Sequence, residues 1–189
     1  MDEATNGGSI LGAVGSPLLG AALRSVASGI PSPLSENQTV YDDWLAYYKK
    51  SNPDEEITHL ELMGTGSDYT AFFDHLGIPC VDMVFNKESK SVFHYHSNYD
   101  SYHWMQKFGD VGWRKHLAMA RLWGVLAVRF ASSDVIPFKA REYAIELERH
   151  TGCLKALNAE DVDIRAMEIS IKHFKNRQKQ FDRFHPFLK

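Results

Sequence analysis

Two extended segments flank a short helical one in the middle of this chain, and this order limits the choice of fold. His59–Met63 alternates polar and apolar side chains like a half-buried strand, and Gly64–Gly66 supplies a turn. A helix is predicted over Asp68–Leu76, and Gly77–Pro79 ends it because proline cannot continue a helix. Cys80–Phe85 has the apolar character of a second strand. Strand, helix and strand predict an α/β sheet, although the crossover is short for parallel pairing.

The remaining sequence is mostly helical in pattern. Residues 1–20, rich in glycine, serine and alanine, are predicted to form a loop that leads into a helix. Helices are predicted over residues 17–28, 40–51, 110–131, 138–150 and 160–184. The last helix has one apolar stripe, formed by Ile164, Met167, Ile171, Phe174 and Phe181. The stripe can pack against helices of the same chain or pair two subunits, and the pattern leaves both open.

Composition and charge exclude several classes of protein. The net charge of -3 gives no sign of a nucleic-acid-binding protein, and the two cysteines do not make a disulfide framework. The longest apolar run, Leu117–Ala131, contains two arginines and is shorter than the ~20 residues that a membrane helix needs. It is therefore predicted to be a buried helix. Asn37–Thr39 is a glycosylation sequon, which weakly favours a lumenal or extracellular setting.

A polar loop after the second predicted strand contains most of the candidate chemistry. Residues 93–102 include two imidazoles, three phenols, two hydroxyls and a carboxylate, which a core could not accommodate without many buried partners. His94 and His96 could supply two zinc ligands and His103 is a further candidate, but a stable zinc site needs three or four. Metal binding and chance exposure of several histidines both stay open. The other histidines occur singly and are predicted to be surface or capping residues: His59, His75, His116, His150, His173 and His185.

Three motifs, in order, resemble segments of one known family. Met63–Phe73, Leu76–Pro79 and Tyr95–Tyr102 are similar to parts of the glutamate carboxypeptidase II and transferrin receptor group. This group contains co-catalytic zinc peptidases and their non-catalytic relatives. The resemblance covers most of the chain, and it rests on the motifs together rather than on any one of them. Shorter stretches look similar in the same order: Ser16–Leu19, Val40–Trp44 and Ile136–Phe138.

The resemblance implies roles for five residues. His96 matches the last zinc ligand of the peptidase members, and Tyr95 matches a tyrosine that hydrogen-bonds the tetrahedral oxyanion. Thr65, Gly66 and Ser67 match a turn that lines the substrate cleft. In the peptidases, two zinc ions activate a water with a glutamate as general base, and the water attacks a peptide carbonyl near a chain end. The implied activity is that of a zinc-dependent exopeptidase of the carboxypeptidase type, acting on peptide substrates.

The chain departs from the family pattern in two ways. Of the zinc ligands only His96 is matched, so we expect the chain to be the C-terminal part of such a peptidase and to be inactive alone. The glutamate-specific members have arginines where this chain has Asp82 and Val84, and a carboxylate at Asp82 would repel an acidic substrate. The alternatives are a non-catalytic receptor-like dimerisation or binding module, against which the retained histidine counts, and a decayed copy without function.

The resemblance also implies an architecture and a cellular setting. Residues 1–134 match the C-terminal part of a zinc peptidase domain with a partial α/β sheet. Residues 135–189 match the start of a helical transferrin receptor-like dimerisation domain. A homodimer through the C-terminal helices is therefore expected. The family suggests a membrane-anchored protein with a lumenal, vacuolar or extracellular catalytic part, although this chain shows no membrane segment.

Overall fold

The fold is that of a computed structural model, which describes residues 3–88, 92, 94–157 and 163–184, with side chains to residue 178. Phe93 of the polar loop and the side chain of Phe181 lie outside the described residues. A 3-10 turn spans Pro17–Leu19, and single π-helical turns span Ala71–His75 and Met105–Gly109. The strands and α-helices are β1 (Ile10–Gly15), α1 (Gly20–Ala27), α2 (Val40–Tyr48), β2 (Val81–Lys87), α3 (Tyr102–Trp104), α4 (Arg114–Ser132), α5 (Ala140–Ala156) and α6 (Arg165–Phe184).

An antiparallel ribbon of β1 and β2 lies at the centre of the fold. The register places Leu11 opposite Phe85 and Ala13 opposite Met83. Because side chains alternate between the two faces of a strand, these four residues share one face, and all four are buried. The ribbon therefore has one apolar face against which helices can pack.

The prediction of a loop over residues 1–20 is wrong for Ile10–Gly15, which form β1. Its glycines indicated a loop, yet in the structure they allow the two strands to approach closely. A Cβ atom on Gly15 would lie 2.7 Å from the carbonyl oxygen of Cys80 and 3.0 Å from Cα of Val81 in β2, so the backbone of the second strand leaves no room for a side chain there. Glycine in a strand often marks such a close approach, so composition alone concealed the strand.

The first of the two predicted strands, His59–Met63, is reduced to a single bridge. Glu61 donates its N–H to the carbonyl of Ala13 at 3.0 Å and accepts from the N–H of Gly15 at 3.1 Å. This bridge runs parallel to β1, which therefore lies between the segment and β2. The second predicted strand, Cys80–Phe85, is confirmed as β2, but the two predicted strands lie on opposite edges of β1.

Helices α1, α2 and α4 cover the apolar face of the ribbon. Their buried apolar residues recur every three or four positions, as expected for helices with one face in a core. The predicted buried helix over Leu117–Ala131 is confirmed as α4, although only one face of it is buried. No helix within the described ranges is long and apolar enough to cross a bilayer. The main contributions to the core are Leu23, Val26, Val40, Trp44, Ala118, Met119, Leu122 and Leu126.

Side-chain caps determine where two of these helices begin. At α2, the N–H of Asp42 donates to Oγ1 of Thr39 at 3.2 Å, and the N–H of Thr39 donates to Oδ2 of Asp42 at 2.8 Å. At α4, the buried carboxylate of Asp110 accepts from the N–H groups of Lys115 at 3.1 Å and His116 at 2.9 Å. The first N–H groups of a helix have no partner within the helix, so both arrangements supply the missing acceptors.

The C-terminal helices pack against each other, and α5 also packs against the 3-10 turn before α1. The end predicted for α5 at residue 150 is wrong, because the helix continues through Gly152 to Ala156. A single glycine costs a helix only about 1 kcal/mol, and packing against α6 can offset that. In the apolar stripe of α6, Ile171 is 6% exposed while Met167 remains 38% exposed. The chain therefore covers part of the stripe, and the rest stays accessible.

Two leucines of α4 provide a matched test of this packing. Leu122 is fully buried, whereas Leu117 on the same helix is 51% exposed. We expect Leu122→Ala to lower the free energy of unfolding by about 2–5 kcal/mol, because it leaves a cavity in the core. Leu117→Ala should change it by less than about 0.5 kcal/mol. Urea denaturation followed by tryptophan fluorescence measures both, and equal effects would contradict the orientation of α4.

Candidate functional site

Ser97 organises the polar loop that follows β2. Its backbone N–H and its hydroxyl both donate to the carbonyl of His94, at 3.0 Å and 2.7 Å. The same hydroxyl accepts from the N–H of Tyr99 at 3.2 Å. A serine hydroxyl that bridges nearby backbone groups in this way stabilises a turn. Ser101 then caps the short helix α3, accepting from the N–H of Trp104 at 3.2 Å.

The turn brings Tyr95 and His96 into direct contact. Their ring centroids lie 3.7 Å apart and the ring planes are inclined by 23°, so the imidazole stacks on the phenol. His96 has a left-handed backbone with φ of +58°, which is uncommon for residues other than glycine and is over-represented at functional sites. Both side chains are exposed, Tyr95 by 40%. The two predicted site residues of this loop are therefore held as one accessible unit.

His94 makes contacts of a different kind. Its ring meets the Trp104 ring edge-on at 5.2 Å and lies 5.9 Å from the Tyr99 ring. These contacts anchor the start of the loop to α3. His94 is thus a structural residue of the loop here, whereas the sequence alone left it open as a zinc ligand.

The predicted substrate-binding turn is an exposed turn before the π-helical segment. Gly66 has φ of +117°, a conformation that residues with a side chain rarely adopt. Its N–H donates to Oγ1 of Thr70 at 3.3 Å, so the hydroxyl stabilises the turn. Thr65 is exposed and Ser67 is half-buried. Within the described part of the chain, no hydrogen bond, ion pair or ring contact joins this turn to His96.

An open groove of 690 Å³ lies beside the polar loop. One of its two lining lysines, Lys115, donates from Nζ to the carbonyls of Gly7 at 3.2 Å and Gly109 at 2.9 Å. Burial lowers the pKa of this ammonium group, and Asp110 opposes that effect. Lys115 therefore links the N-terminal segment to α4. The lining includes Val92, His94, Trp104, Lys107, Phe108 and Lys115.

Two histidines predicted to be surface or capping residues have specific carboxylate partners. Nδ1 of His116 lies 2.7 Å from Oδ2 of Asp110, whose side chain is 2% exposed. His59 is buried and contacts Glu146, so the prediction of a surface or capping residue is wrong for it. The sequence predicted a helix from residue 110, whereas α4 begins at Arg114 and Asp110 lies before it as its cap. No local pattern indicates a pair as distant in sequence as His59 and Glu146.

Among the residues that the structure describes, no three histidine, cysteine, aspartate or glutamate side chains are grouped as a metal site would require. Zinc needs three or four protein ligands, so the residues around His96 do not hold zinc unaided. Neither cysteine forms a disulfide, and burial raises the pKa of the Cys80 thiol, which disfavours the thiolate form that binds metals. What the loop does offer is one accessible imidazole beside one phenol.

Comparison with known proteins shows the family to which the chain belongs. No family model matches the chain. A probable glutamate carboxypeptidase of Arabidopsis thaliana, LAMP1, is 36% identical over 133 residues, which is 70% of this chain and 18% of that protein. A probable glutamate carboxypeptidase of Arthroderma benhamiae is 36% identical over 160 residues, 81% of this chain and 21% of that protein. The chain belongs to the glutamate carboxypeptidase II and transferrin receptor-like family.

Family members with a different named activity also match. The mouse aminopeptidase NAALADL1 is 31% identical over 144 residues, 73% of this chain and 19% of that protein. The chain thus spans about a fifth of the length of the curated relatives that it matches. The family includes relatives named as carboxypeptidases and relatives named as aminopeptidases, so membership alone does not assign a substrate.

The role of Ser97 in the polar loop can be tested by hydrogen exchange of backbone amides. We expect Ser97→Ala to speed hydrogen exchange of the Tyr99 amide by roughly two- to tenfold, because a hydrogen bond worth about 1 kcal/mol is lost. Ser101→Ala is the matched control and should speed exchange at Trp104 instead. Unchanged exchange at Tyr99 in the first variant would contradict the turn described above.

Proposed function

We propose that this chain supplies part of a zinc-dependent exopeptidase, with His96 as one zinc ligand and Tyr95 as the donor to the oxyanion. The adjacency of the two rings supports this proposal most directly, since they stack at 3.7 Å in an exposed loop. A phenol fixed beside a metal ligand can donate a hydrogen bond where negative charge develops on a peptide carbonyl. The turn of Thr65, Gly66 and Ser67 would line the same cleft.

The proposal includes an incomplete site. Since His96 is a single imidazole, the remaining zinc ligands and the general base would come from parts of the protein outside the described residues. The isolated chain should therefore hydrolyse no peptide. In this view, residues 1–134 belong to the peptidase domain with the β1–β2 ribbon in its sheet, and residues 135–189 begin a helical dimerisation domain.

Asp82 favours a substrate other than an acidic peptide. It lies in β2 on the face opposite the buried Met83 and Phe85, and its side chain is half-buried. The resemblance sets Asp82 where glutamate-specific members have an arginine, and a carboxylate at that position would disfavour a terminal glutamate. We also propose a lumenal, vacuolar or extracellular location, for which the exposed Asn37 of the sequon is compatible support.

Protein made from the complete coding sequence tests the roles of the two loop residues. We expect His96→Ala to reduce peptide hydrolysis by at least about 100-fold and to release bound zinc, because even outer-shell partners of a metal contribute about 10–100-fold. Tyr95→Phe should reduce the turnover rate by about 100- to 1000-fold while zinc stays bound. Peptides with apolar and with glutamate termini should both be assayed.

The neighbouring His94→Ala is the control for this experiment. It removes an imidazole from the same loop, and we expect it to retain bound zinc because His94 contacts Trp104 rather than the proposed site. Equal zinc loss in both variants would contradict the assignment of His96. A complete wild-type protein that neither binds zinc nor hydrolyses peptides would favour the non-catalytic receptor-like module.

We further propose that α5 and α6 pair two copies of the chain. Ile169 is 57% exposed on α6, and Leu157 at the end of α5 is 75% exposed. If the wild-type chain dimerises, Ile169→Lys should raise the dissociation constant roughly 10- to 100-fold, because a buried isoleucine contributes about 1.5–3 kcal/mol. Light scattering across a concentration series measures this, with Ser170→Lys as the matched control. A wild-type monomer at all concentrations would contradict the dimer.

A further inference from the structure

A buried histidine lies where the segment beside β1 meets α5. Nδ1 of His59 is 2.8 Å from Oε1 of Glu146, and its Nε2 is 3.5 Å from Oε2 of Glu55. His59 is 7% exposed and Glu146 5%. Both ring nitrogens therefore face carboxylate oxygens. These contacts are ion pairs rather than aligned hydrogen bonds. A neutral imidazole has a proton on only one nitrogen, so only the imidazolium form presents a positively charged N–H toward each carboxylate.

The surrounding charges also favour a proton on His59. Three carboxylates and two guanidinium groups lie around it: Glu55, Glu142, Glu146, Arg24 and Arg149. Each guanidinium is paired with one carboxylate, Arg24 with Glu142 at 2.8 Å and Arg149 with Glu146 at 2.9 Å. One negative charge remains, and a protonated imidazole would neutralise it. The remaining carboxylate, Glu55, is 44% exposed, so solvent screens part of its attraction for the imidazolium. Glu146 beside Nδ1 is buried and attracts the imidazolium more strongly.

Two other titratable groups face this cluster. The ring of Tyr48 from α2 lies 6.3 Å from the His59 ring. Nε2 of His150 lies 3.7 Å from Oε2 of Glu146, but its side chain is 34% exposed. Burial raises the pKa of Tyr48, so this phenol stays neutral near neutral pH. His59 is thus the buried group of the cluster whose charge can change in that range.

We propose that His59 and Glu146 form a proton-controlled latch, which holds the C-terminal part of α5 against the segment beside β1 and loosens as His59 loses its proton. The latch goes beyond the proposed peptidase function and does not depend on it. It joins residues on either side of the boundary near residue 135.

The pH range of the latch follows from its two groups. The contact with Glu146 raises the pKa of His59 above its ordinary value of 6.5, although burial opposes this. Burial alone would raise the pKa of Glu146, but His59 and Arg149 outweigh it and lower that pKa below 4.5. The contribution of His59 is fully present below pH 6.5 and is lost as pH rises through its folded pKa. The contribution of Glu146 is present above pH 4.5 and is lost in acid, so the latch is strongest between these values.

Other contacts hold the N-terminal end of α5 independently of His59. The N–H of Lys139 donates to the carbonyl of Leu18 at 3.1 Å, and Arg24 of α1 forms an ion pair with Glu142 at 2.8 Å. Loss of the proton should therefore loosen residues 146–156 more than residues 140–143. This gradient along one helix distinguishes a latch from general destabilisation.

Two measurements on the full 189-residue chain test the latch. In the first, NMR titration of the His59 ring should give a pKa above 6.5, and a value at or below 6.5 would overturn the proposal. In the second, hydrogen exchange corrected for intrinsic rates should increase between pH 6 and pH 9 for amides 146–156 and stay nearly constant for 140–143. The increase should be about tenfold for each unit by which the folded pKa exceeds the unfolded one. No increase, or an equal increase along α5, would overturn the proposal.

Variants separate the latch from other effects of pH. His59→Gln should abolish the pH dependence of exchange at residues 146–156. Glu55→Gln leaves Glu146 paired and removes the negative charge that faces Nε2, so it should lower the pKa of His59 without unfolding the chain. His150→Gln is the matched control, because it removes an exposed histidine near the same carboxylate and should preserve the pH dependence. Loss of the dependence in this control would assign it to His150 and overturn the latch.

Discussion

The pairing of β1 with β2 is the interaction on which the rest of the structure depends. It places Leu11, Ala13, Met83 and Phe85 on one face, and α1, α2 and α4 bury their apolar residues against that face. The segment before β1 is also attached to this ribbon, because the hydroxyl of Thr5 donates to the carbonyl of Phe85 at 3.0 Å. The polar loop follows the end of β2, so the position of the candidate site is set by this pairing. Removing β1 would leave the helices without a common surface.

Helices were predictable from this sequence because their signals are local. Apolar spacing can be read within one or two turns of chain. The pairing of β1 could not be read in this way, because Gly15 fits against the backbone of Cys80 and Val81, which lie far along the sequence. Glu61 had strand-like neighbours but is joined to β1 by a single bridge. Long-range pairing thus determined which extended segments became strands.

For the candidate site, the sequence identified the residues but did not predict their conformation. The motif around Tyr95 and His96 was visible in the sequence, and the family relationship is established by relatives that align across most of the chain. The left-handed backbone of His96 and the turn formed by Ser97 were not predicted, although the hydrogen bonds of the turn are local, because a serine in a polar loop is compatible with several turn conformations. The motif therefore identified the site residues but not their conformation.

The junction between the ribbon and α5 differs in kind from the core. Apolar packing holds α4 on the ribbon. In contrast, charged groups join α5 to the segment beside β1, where Glu146 of α5 contacts His59. Arg24 of α1 connects the same parts, because it pairs with Glu142 of α5 and donates to the carbonyl of Thr58 at 2.9 Å. Apolar contacts are insensitive to pH, but a buried carboxylate shared by an imidazole and a guanidinium is not. Protons can therefore act on the attachment of α5 while leaving the ribbon and its three helices intact. In this chain, a change of pH therefore acts at the junction between the ribbon and α5 rather than in the core.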